Sequence, residues 1–182
     1  MSLTYQQPDT SQQVSWKPVD ALTDFPGDED LLAIVSLSGS LTRRLRELCG
    51  GGFRLQLLGE QTGPGQQLLR EVLMSCGDSP WVFAQTVIPQ NTLAANPWIG
   101  QLGERPLGDT LFDRPGVERS DLYIARLHAG HALFDRAINA GAITNVPDYL
   151  IARRSVIQFV DSELTINEIF FPEVGQAQRH LP

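Results

Sequence analysis

Two charged residues, Arg70 and Glu168, each lie on an otherwise apolar face of a predicted strand, because side chains alternate along a strand. The residues that share these faces are Leu68, Val72 and Met74 for Arg70, and Leu164, Ile166 and Phe170 for Glu168. An arginine offers a rigid, planar fork for a carboxylate, and a carboxylate can accept a hydroxyl proton. Together the two side chains would suit a small ring that carries a carboxylate at one end and a hydroxyl at the other.

Each of these residues also has a purely structural interpretation. A bare carboxylate is costly to bury unless it is paired, protonated or in contact with a ligand. Glu168 could therefore belong to a structural glutamate–arginine bridge inside an ordinary sheet. Arg70 could be a solvated residue at the rim of the sheet. The residues alone leave both interpretations open.

The segment that carries Glu168 is predicted to be the second arm of a β-hairpin over residues 150–172. Apolar, β-branched and aromatic residues dominate both arms, and Asp161-Ser162 between them is typical of a turn. With a two-residue loop, Val160 would pair with Glu163 and Glu168 would lie opposite Ser155. Arg153 and Ile157 would then be diagonal neighbours of Glu168 on the same face.

The remaining segments predict an α+β fold, a single domain with a largely antiparallel β-sheet and flanking helices. Ser40 is a suitable N-cap for a helix that the three glycines from Gly50 terminate. The segment after Asn91 is broken by prolines and glycines, which indicates short helical turns with Pro106 at the first position of one. The other predictions are strands over 53–58, 67–75, 81–89 and 117–127, and helices over 28–35, 41–49 and 128–140.

Composition limits the class of protein. A chain of 182 residues fits one domain, which we expect over 28–174, after a poorly ordered lead-in at 1–27 and before a polar, frayed tail at 175–182. Trp16 and Phe25 are expected to touch the core. The net charge of -7 argues against non-specific binding to nucleic acid or to anionic membranes. It also means that an anionic substrate would need arginines placed locally against the overall field.

Compartment and cofactors follow from what the sequence lacks. It has no apolar run long enough to span a membrane and no signal-peptide pattern, so we expect a cytoplasmic protein. Cys49 and Cys76 have no metal or redox spacing, so reduced thiols are expected. His128 and His131 lack a third metal ligand, so we expect no metal. No nucleophile elbow, phosphate loop or dinucleotide fingerprint is present.

Five segments, in this order and spacing, resemble the chorismate pyruvate-lyase family. They are GSLTRRL (39–45), LREVLMSCGDSPWVFAQTVIP (69–89), LGERPLGDTLF (102–112), ARRS (152–155) and NEIFFP (167–172). The resemblance covers about residues 30–172 and implies a largely antiparallel sheet with flanking helices. It also implies an enzyme that eliminates pyruvate from chorismate to give 4-hydroxybenzoate, the ring precursor of ubiquinone, with no metal or cofactor.

The resemblance assigns roles to individual residues. Arg70 matches the arginine that holds the ring carboxylate, and Glu168 matches the glutamate that meets the ring hydroxyl. Leu41 and Leu107 match positions that line the ligand. Arg153 and Arg154 match the family's paired arginines, and we hypothesise that one of the two binds the enolpyruvyl carboxylate of the substrate, with Arg153 counted among the substrate-binding residues. The sequence departs from the family pattern between residues 121 and 149, and at 151–152 it has Ile-Ala where Trp-Gly is common.

Two other functions are compatible with the same features. One is a non-catalytic sensor or carrier of small aromatic acids, because the fold resembles the effector-binding domains of some helix-turn-helix repressors. The residues before the domain are few and not basic, which disfavours a repressor. The other is a related lyase that makes a different hydroxybenzoate isomer. The expected partners are small molecules, namely chorismate, 4-hydroxybenzoate and pyruvate, and we expect a monomer.

Overall fold

A computed structural model describes residues 14–21, 29–111 and 114–178. Within these residues one sheet contains eight strands, and every pairing in it is antiparallel. The strands are β1 (Lys17–Pro18), β2 (Phe53–Thr62), β3 (Leu68–Cys76), β4 (Ser79–Ile88), β5 (Glu118–Arg119), β6 (Tyr123–Leu127), β7 (Leu150–Gln158) and β8 (Glu163–Phe170). The helices are α1 (Glu29–Val35), α2 (Leu41–Cys49), α3 (Gln90–Ala95), α4 (Leu107–Leu111), α5 (Ala132–Ala140) and α6 (Pro172–Gln178). The expected α+β architecture is confirmed.

The strands lie in the order β1-β6-β7-β8-β4-β3-β2, and β5 pairs with β7 beside β6. Helix α5 packs on one face of this sheet through Leu133, Phe134 and Ala137. On the opposite face, α1, α2 and α6 form one core cluster, and α4 with the 3-10 turn Pro97–Gln101 belongs to another. None of the helices in the described ranges is long and apolar enough to cross a membrane.

Local signals that the sequence shows directly are confirmed in the structure. The Ser40 side chain accepts a hydrogen bond from the backbone N–H of Arg43 and so caps α2. Gly50 ends that helix with a φ of 66°, a conformation that glycine adopts without steric strain. Gly77, with a φ of 58°, turns the chain between β3 and β4, which pair as a hairpin.

The hairpin of β7 and β8 forms, but the predicted register is wrong by two residues. Gln158 pairs with Glu163, and Arg153 rather than Ser155 lies directly opposite Glu168. The loop therefore has four residues, and it is closed by a hydrogen bond of 2.8 Å from the Phe159 N–H to the Ser162 carbonyl. Because a shift of two residues preserves the alternation, Glu168 keeps its predicted face.

Strand β2 runs past its predicted end at residue 58, because a bulge between Leu57 and Gly59 shifts the register and pairing with β3 resumes. This places Glu60 opposite Arg70. The strand predicted over 117–127 is interrupted and forms β5 and β6. Between these two strands Ser120 still pairs with β7, since its N–H donates to the Val156 carbonyl.

Three other predicted boundaries differ. Helix α5 begins at Ala132, because His131 caps it by accepting a hydrogen bond from the Leu133 N–H. Helix α4 begins at Leu107, one residue after Pro106. Residues 175–178, expected in the frayed tail, instead form the end of helix α6, and Val174 in the same helix is fully buried.

Part of the expected lead-in is also ordered against the sheet. Strand β1 pairs with β6, and the ring of Trp16 lies 4.1 Å from the guanidinium carbon of Arg154. Trp16 packs on the core as expected, whereas Phe25 lies outside the described residues.

The expectation of reduced thiols is wrong: Cys49 and Cys76 form a disulfide across 27 residues of sequence. It joins the last residue of α2 to the last residue of β3. The spacing of the two cysteines did not predict this disulfide. The two residues meet because β2, which follows α2, pairs antiparallel with β3 and places Phe53 opposite Cys76.

Candidate active site

A cavity lies on the sheet face that carries Arg70 and Glu168, beneath helices α2 and α4. Strands β3, β4 and β8 provide its floor, and α2 and α4 cover it. Its lining residues are Leu41, Thr42, Leu55, Arg70, Val72, Met74, Ala84, Thr86, Leu107, Gly108, Arg119, Ile166 and Glu168. The cavity is therefore mainly apolar, with charged groups at defined points, as is typical of small-molecule sites.

Arg70 provides the positive charge on the β3 side of the cavity. Its side chain is only 2% exposed, and its Nη1 donates to Glu60 Oε1 across 2.8 Å. Its Nη2 donates to the Gly103 carbonyl at 2.7 Å and to the Arg105 carbonyl at 3.3 Å. These three contacts use part of the five-donor set of a guanidinium and hold its plane in place, so further donors can meet a ligand carboxylate.

Glu168 provides the negative charge on the β8 side. Its Oε2 accepts a hydrogen bond of 2.6 Å from Arg153 Nε. Burial raises the pKa of the Glu168 carboxyl, but the charge and hydrogen bond of Arg153 and the charge of Arg119 outweigh it and lower the pKa below its ordinary value. The residue is thus an ionised acceptor at neutral pH, suited to a hydroxyl donor.

Arg153 lies behind Glu168 and does not line the cavity. Its side chain is fully buried, and its Nη1 donates to the carbonyls of Val35 at 3.2 Å and Leu37 at 3.0 Å. These carbonyls lie at the C-terminal end of α1, where the helix dipole favours a cation. The structure thus places Arg153 as the partner of Glu168 and of a helix end, not against the space that a ligand would fill.

Arg154 lies on the opposite face of the sheet, as alternation requires. Its Nε donates to Asn167 Oδ1 at 2.7 Å, and its guanidinium stacks on Trp16. Burial lowers the pKa of Arg154. Of the paired arginines, neither lines the cavity.

The spacing of Arg70 and Glu168 fits one ring. They lie two strands apart and are offset by two residues along the sheet, since Arg70 aligns with Thr86 and Ile166, and Ala84 aligns with Glu168. With strands about 4.8 Å apart and a rise of about 3.4 Å per residue, their Cα atoms are about 12 Å apart. On β4, the strand between them, Ala84 and Thr86 line the cavity floor.

Leu41 and Leu107, the first residues of α2 and α4, contact this space from the helical side. The two helices are tied together next to these residues. The Ser40 hydroxyl donates to Asp109 Oδ1 at 3.0 Å, and Arg46 forms an ion pair with Oδ2 of the same carboxylate at 3.3 Å. Their positions relative to the cavity floor are therefore coupled.

Arg119 is a cavity residue that the sequence analysis missed. It lies in β5 opposite Ile157, and its Nη1 donates to the Gly39 carbonyl at 3.3 Å. Burial lowers the pKa of Arg119, and the charge of Glu168 opposes that shift. The available signal was weak, because Arg119 stands among polar residues rather than on an apolar stripe.

The two histidines have separate structural contacts. The Nδ1 of His128 lies 2.9 Å from the Asp148 carbonyl, and His131 caps α5. Across the residues that the structure describes, no group of three or more His, Cys, Asp or Glu side chains is arranged to hold a metal ion.

The site therefore brings together four of the five predicted residues: Arg70, Glu168, Leu41 and Leu107. It can bind a carboxylate at one end of a ring, accept a hydroxyl hydrogen bond at the other, and exclude water between them. Arg119 and Glu60 were not predicted from the sequence, because their positions depend on how distant strands pair.

The sequence matches known proteins along most of its length. Residues 10–179 match the family model described as chorismate lyase. A probable chorismate pyruvate-lyase of Shewanella amazonensis is 35% identical over 181 residues, covering 94% of this chain and 95% of that protein. Another, of Pseudoalteromonas translucida, is 36% identical over 149 residues, covering 73% and 79%, respectively. A third, of Halorhodospira halophila, is 30% identical over 182 residues, covering 92% and 95%. With this extent of similarity, and an antiparallel sheet flanked by helices, the chain belongs to the chorismate lyase family of enzymes.

Proposed function

We propose that this protein is a chorismate pyruvate-lyase that converts chorismate to 4-hydroxybenzoate and pyruvate, for use in ubiquinone biosynthesis. The observation that carries the proposal is the placement of Arg70 and Glu168 in one mainly apolar cavity, about one ring apart. The ring carboxylate would meet Arg70 and the ring hydroxyl would meet Glu168. The probable chorismate pyruvate-lyases among its relatives support the same reaction.

The proposed reaction is a redox-neutral elimination. The bond between the ring and the ether oxygen breaks, and the hydrogen on the hydroxyl-bearing carbon is lost. The departing enolpyruvyl group gains a hydrogen at its methylene carbon and becomes pyruvate, while the ring becomes aromatic. Aromatisation supplies the driving force, so the reaction needs no cofactor.

The protein would contribute positioning and electrostatic stabilisation. Arg70 fixes the ring, and the leucines at the starts of α2 and α4 hold it against the sheet. Because Arg153 keeps the pKa of Glu168 low, the carboxylate is a poor proton acceptor and a good hydrogen-bond acceptor. We therefore assign Glu168 to orienting the hydroxyl-bearing carbon rather than to removing its hydrogen.

The test is to mix the purified protein with chorismate, without added metal, and to measure pyruvate and the aromatic product. We expect equal amounts of pyruvate and 4-hydroxybenzoate. Arg70→Ala should reduce kcat/KM by about 1000-fold, because a buried charge-assisted contact is lost. Arg54→Ala, at an arginine of β2 whose side chain is 70% exposed, is the control and should leave it unchanged.

Other outcomes distinguish the alternatives. Pyruvate with 3-hydroxybenzoate would retain the lyase but show a different ring pose. Binding of 4-hydroxybenzoate without any release of pyruvate would contradict the lyase and favour a sensor or carrier of aromatic acids.

A further inference from the structure

We propose that Arg119 binds the second carboxylate of the substrate, the one on the enolpyruvyl group, and that this contact separates substrate from product in the site. The inference rests on the proposed function, because it concerns how the same cavity holds a ring with two carboxylates. It replaces the hypothesis that one of the paired arginines, Arg153 or Arg154, has this role.

The chemistry of the substrate places its second carboxylate near Glu168. The enolpyruvyl ether is attached to the ring carbon next to the one that bears the hydroxyl. If the ring carboxylate meets Arg70 and the hydroxyl meets Glu168, the second carboxylate must lie at the Glu168 end. A carboxylate there would be repelled by Glu168, and its burial is unfavourable without a cation nearby.

Arg153 does not fit this requirement. It is fully buried, does not line the cavity, and has its Nε on Glu168 and its Nη1 on backbone carbonyls at the end of α1. If it moved to meet a ligand, Glu168 would remain buried without its ion-pair partner. Removing one partner of a buried pair is strongly unfavourable.

Arg119 does fit. It lines the cavity, and it lies beyond β7 on the side of the sheet away from Arg70, because β5 pairs with β7 and β3 lies past β8 and β4. The charges of Arg119 and Glu168 act on each other's pKa values, as expected for groups at the same end of the site. The guanidinium also reaches the Gly39 carbonyl, which directly precedes the Ser40 cap of α2.

The charges around the cavity suit a dianionic ligand. Arg70 is paired with Glu60, and Arg153 is paired with Glu168. Arg119 is a further arginine at the cavity, in a chain whose net charge is -7. Arginines at both ends of the cavity would attract the substrate against the overall field.

This assignment predicts selectivity for the substrate over its product. The enolpyruvyl carboxylate leaves with pyruvate, so 4-hydroxybenzoate retains the contacts with Arg70 and Glu168 and loses the contact with Arg119. Negative charge that develops on the departing group would also be stabilised by Arg119. Arg119 would then act on substrate binding and on the elimination step, but little on product affinity.

The experiment compares ligands with one and two carboxylates. The probes are 4-hydroxybenzoate and 3-(carboxymethoxy)-4-hydroxybenzoate, an unreactive compound whose second carboxylate is ether-linked next to the hydroxyl. Their dissociation constants are measured for the wild type, Arg119→Gln and Arg119→Lys, together with kcat/KM for chorismate. Arg126→Gln is the control, because Arg126 is an exposed arginine of β6 that does not line the cavity.

For Arg119→Gln, we expect kcat/KM and the affinity for the two-carboxylate probe to fall on the order of 100-fold. The affinity for 4-hydroxybenzoate should stay within about threefold of the wild type, which also shows that the variant is folded. Arg119→Lys should retain part of the preference for the two-carboxylate probe over 4-hydroxybenzoate, and Arg126→Gln should retain all of it. Equal weakening of both probes, or no change in either, would overturn the proposal.

The same measurements separate this proposal from the proposed function. If the wild type releases no pyruvate from chorismate, the lyase assignment fails. The ratio of the two probe affinities in the wild type and Arg119→Gln still decides whether Arg119 recognises a second carboxylate.

Discussion

At the scale of single residues, the site depends on pairing each buried charge with a specific partner. Glu168 would be costly to bury alone, and Arg153 directly opposite it on β7 compensates its charge. Arg70 has an equivalent partner in Glu60. The sequence allowed a glutamate–arginine bridge as a purely structural alternative. Glu168 forms this bridge with Arg153 and also lines the cavity. The structural and functional interpretations of Glu168 are not exclusive.

Replacing Glu168 with glutamine should lower the free energy of unfolding by about 3 kcal/mol at pH 7, because Arg153 stays buried and loses its anionic partner. The folded-state pKa of Glu168 is below the ordinary value of 4.5, so its stabilisation is fully present above that pH. The stabilisation is lost as pH falls through the folded-state pKa. The difference between wild type and variant should thus be constant from about pH 5 to pH 8 and should shrink at lower pH.

Urea unfolding of both proteins over this pH range measures the effect. Glu163→Gln, at the exposed first residue of the same strand, is the matched control and should change stability little. A difference between wild type and Glu168→Gln that grows as the pH falls below 4.5 would contradict the assigned direction of the pKa shift.

At the scale of elements, the site is formed by strands with long-range register and by two helices tied to each other. The bulge in β2 allows Glu60 to reach Arg70, and the four-residue loop after β7 sets Arg153 opposite Glu168. The disulfide fastens the end of α2 to the end of β3, the two elements that carry Leu41 and Arg70. Tertiary contacts thus align side chains that come from separate parts of the chain.

Removing the disulfide with Cys49→Ser and Cys76→Ser should lower the free energy of unfolding by about 3.5 kcal/mol, from the entropy of closing a loop of this length in the unfolded chain. Urea unfolding measures this value. A reductant should destabilise the wild type by a similar amount and leave the double variant unchanged. Because the chain has two cysteines, thiol titration of the oxidised, unfolded protein should find none free. Two reactive thiols, with equal stabilities of wild type and variant, would show that the bond does not form.

At the scale of the whole molecule, a net charge of -7 would oppose the proposed dianionic substrate, while the arginines of the cavity would attract it. The repulsion acts over long distances and is screened by salt, whereas contacts with buried arginines are screened much less. The two effects therefore respond differently to ionic strength.

Raising the ionic strength from about 0.01 M to 0.1 M shortens the screening length from about 30 Å to 10 Å. We expect kcat/KM for chorismate to increase a few-fold over this range, because the repulsion by the whole chain weakens more than the local attraction. Steady-state assays at constant pH, with two different monovalent salts to exclude specific ion effects, test this. A steep decrease in kcat/KM would contradict this expectation and show that attraction by the cavity arginines outweighs the repulsion by the whole chain even at long range.

Features that depend only on neighbouring residues were predicted correctly from the sequence. Alternation placed Arg70 with Val72 and Met74, and Glu168 with Ile166 and Phe170, because this period is a property of any strand. The cap at Ser40 and the glycines after α2 and β3 were likewise local signals. Five short segments, taken in their order and spacing, also indicated the family that the match over residues 10–179 shows.

Which distant residues meet depends on how the whole chain folds. The register of β7 against β8, the bulge in β2 and the disulfide all depend on contacts across the sheet, and the same alternating pattern is compatible with a register shifted by two residues. Arg119 enters the cavity because β5 pairs with β7. Arg153 lies behind Glu168, with its Nε on that carboxylate and its Nη1 on carbonyls at the end of α1. These arrangements are stabilised by burial and charge pairing between elements that are distant in sequence. The spacing of residues along the chain does not show which of these elements come into contact.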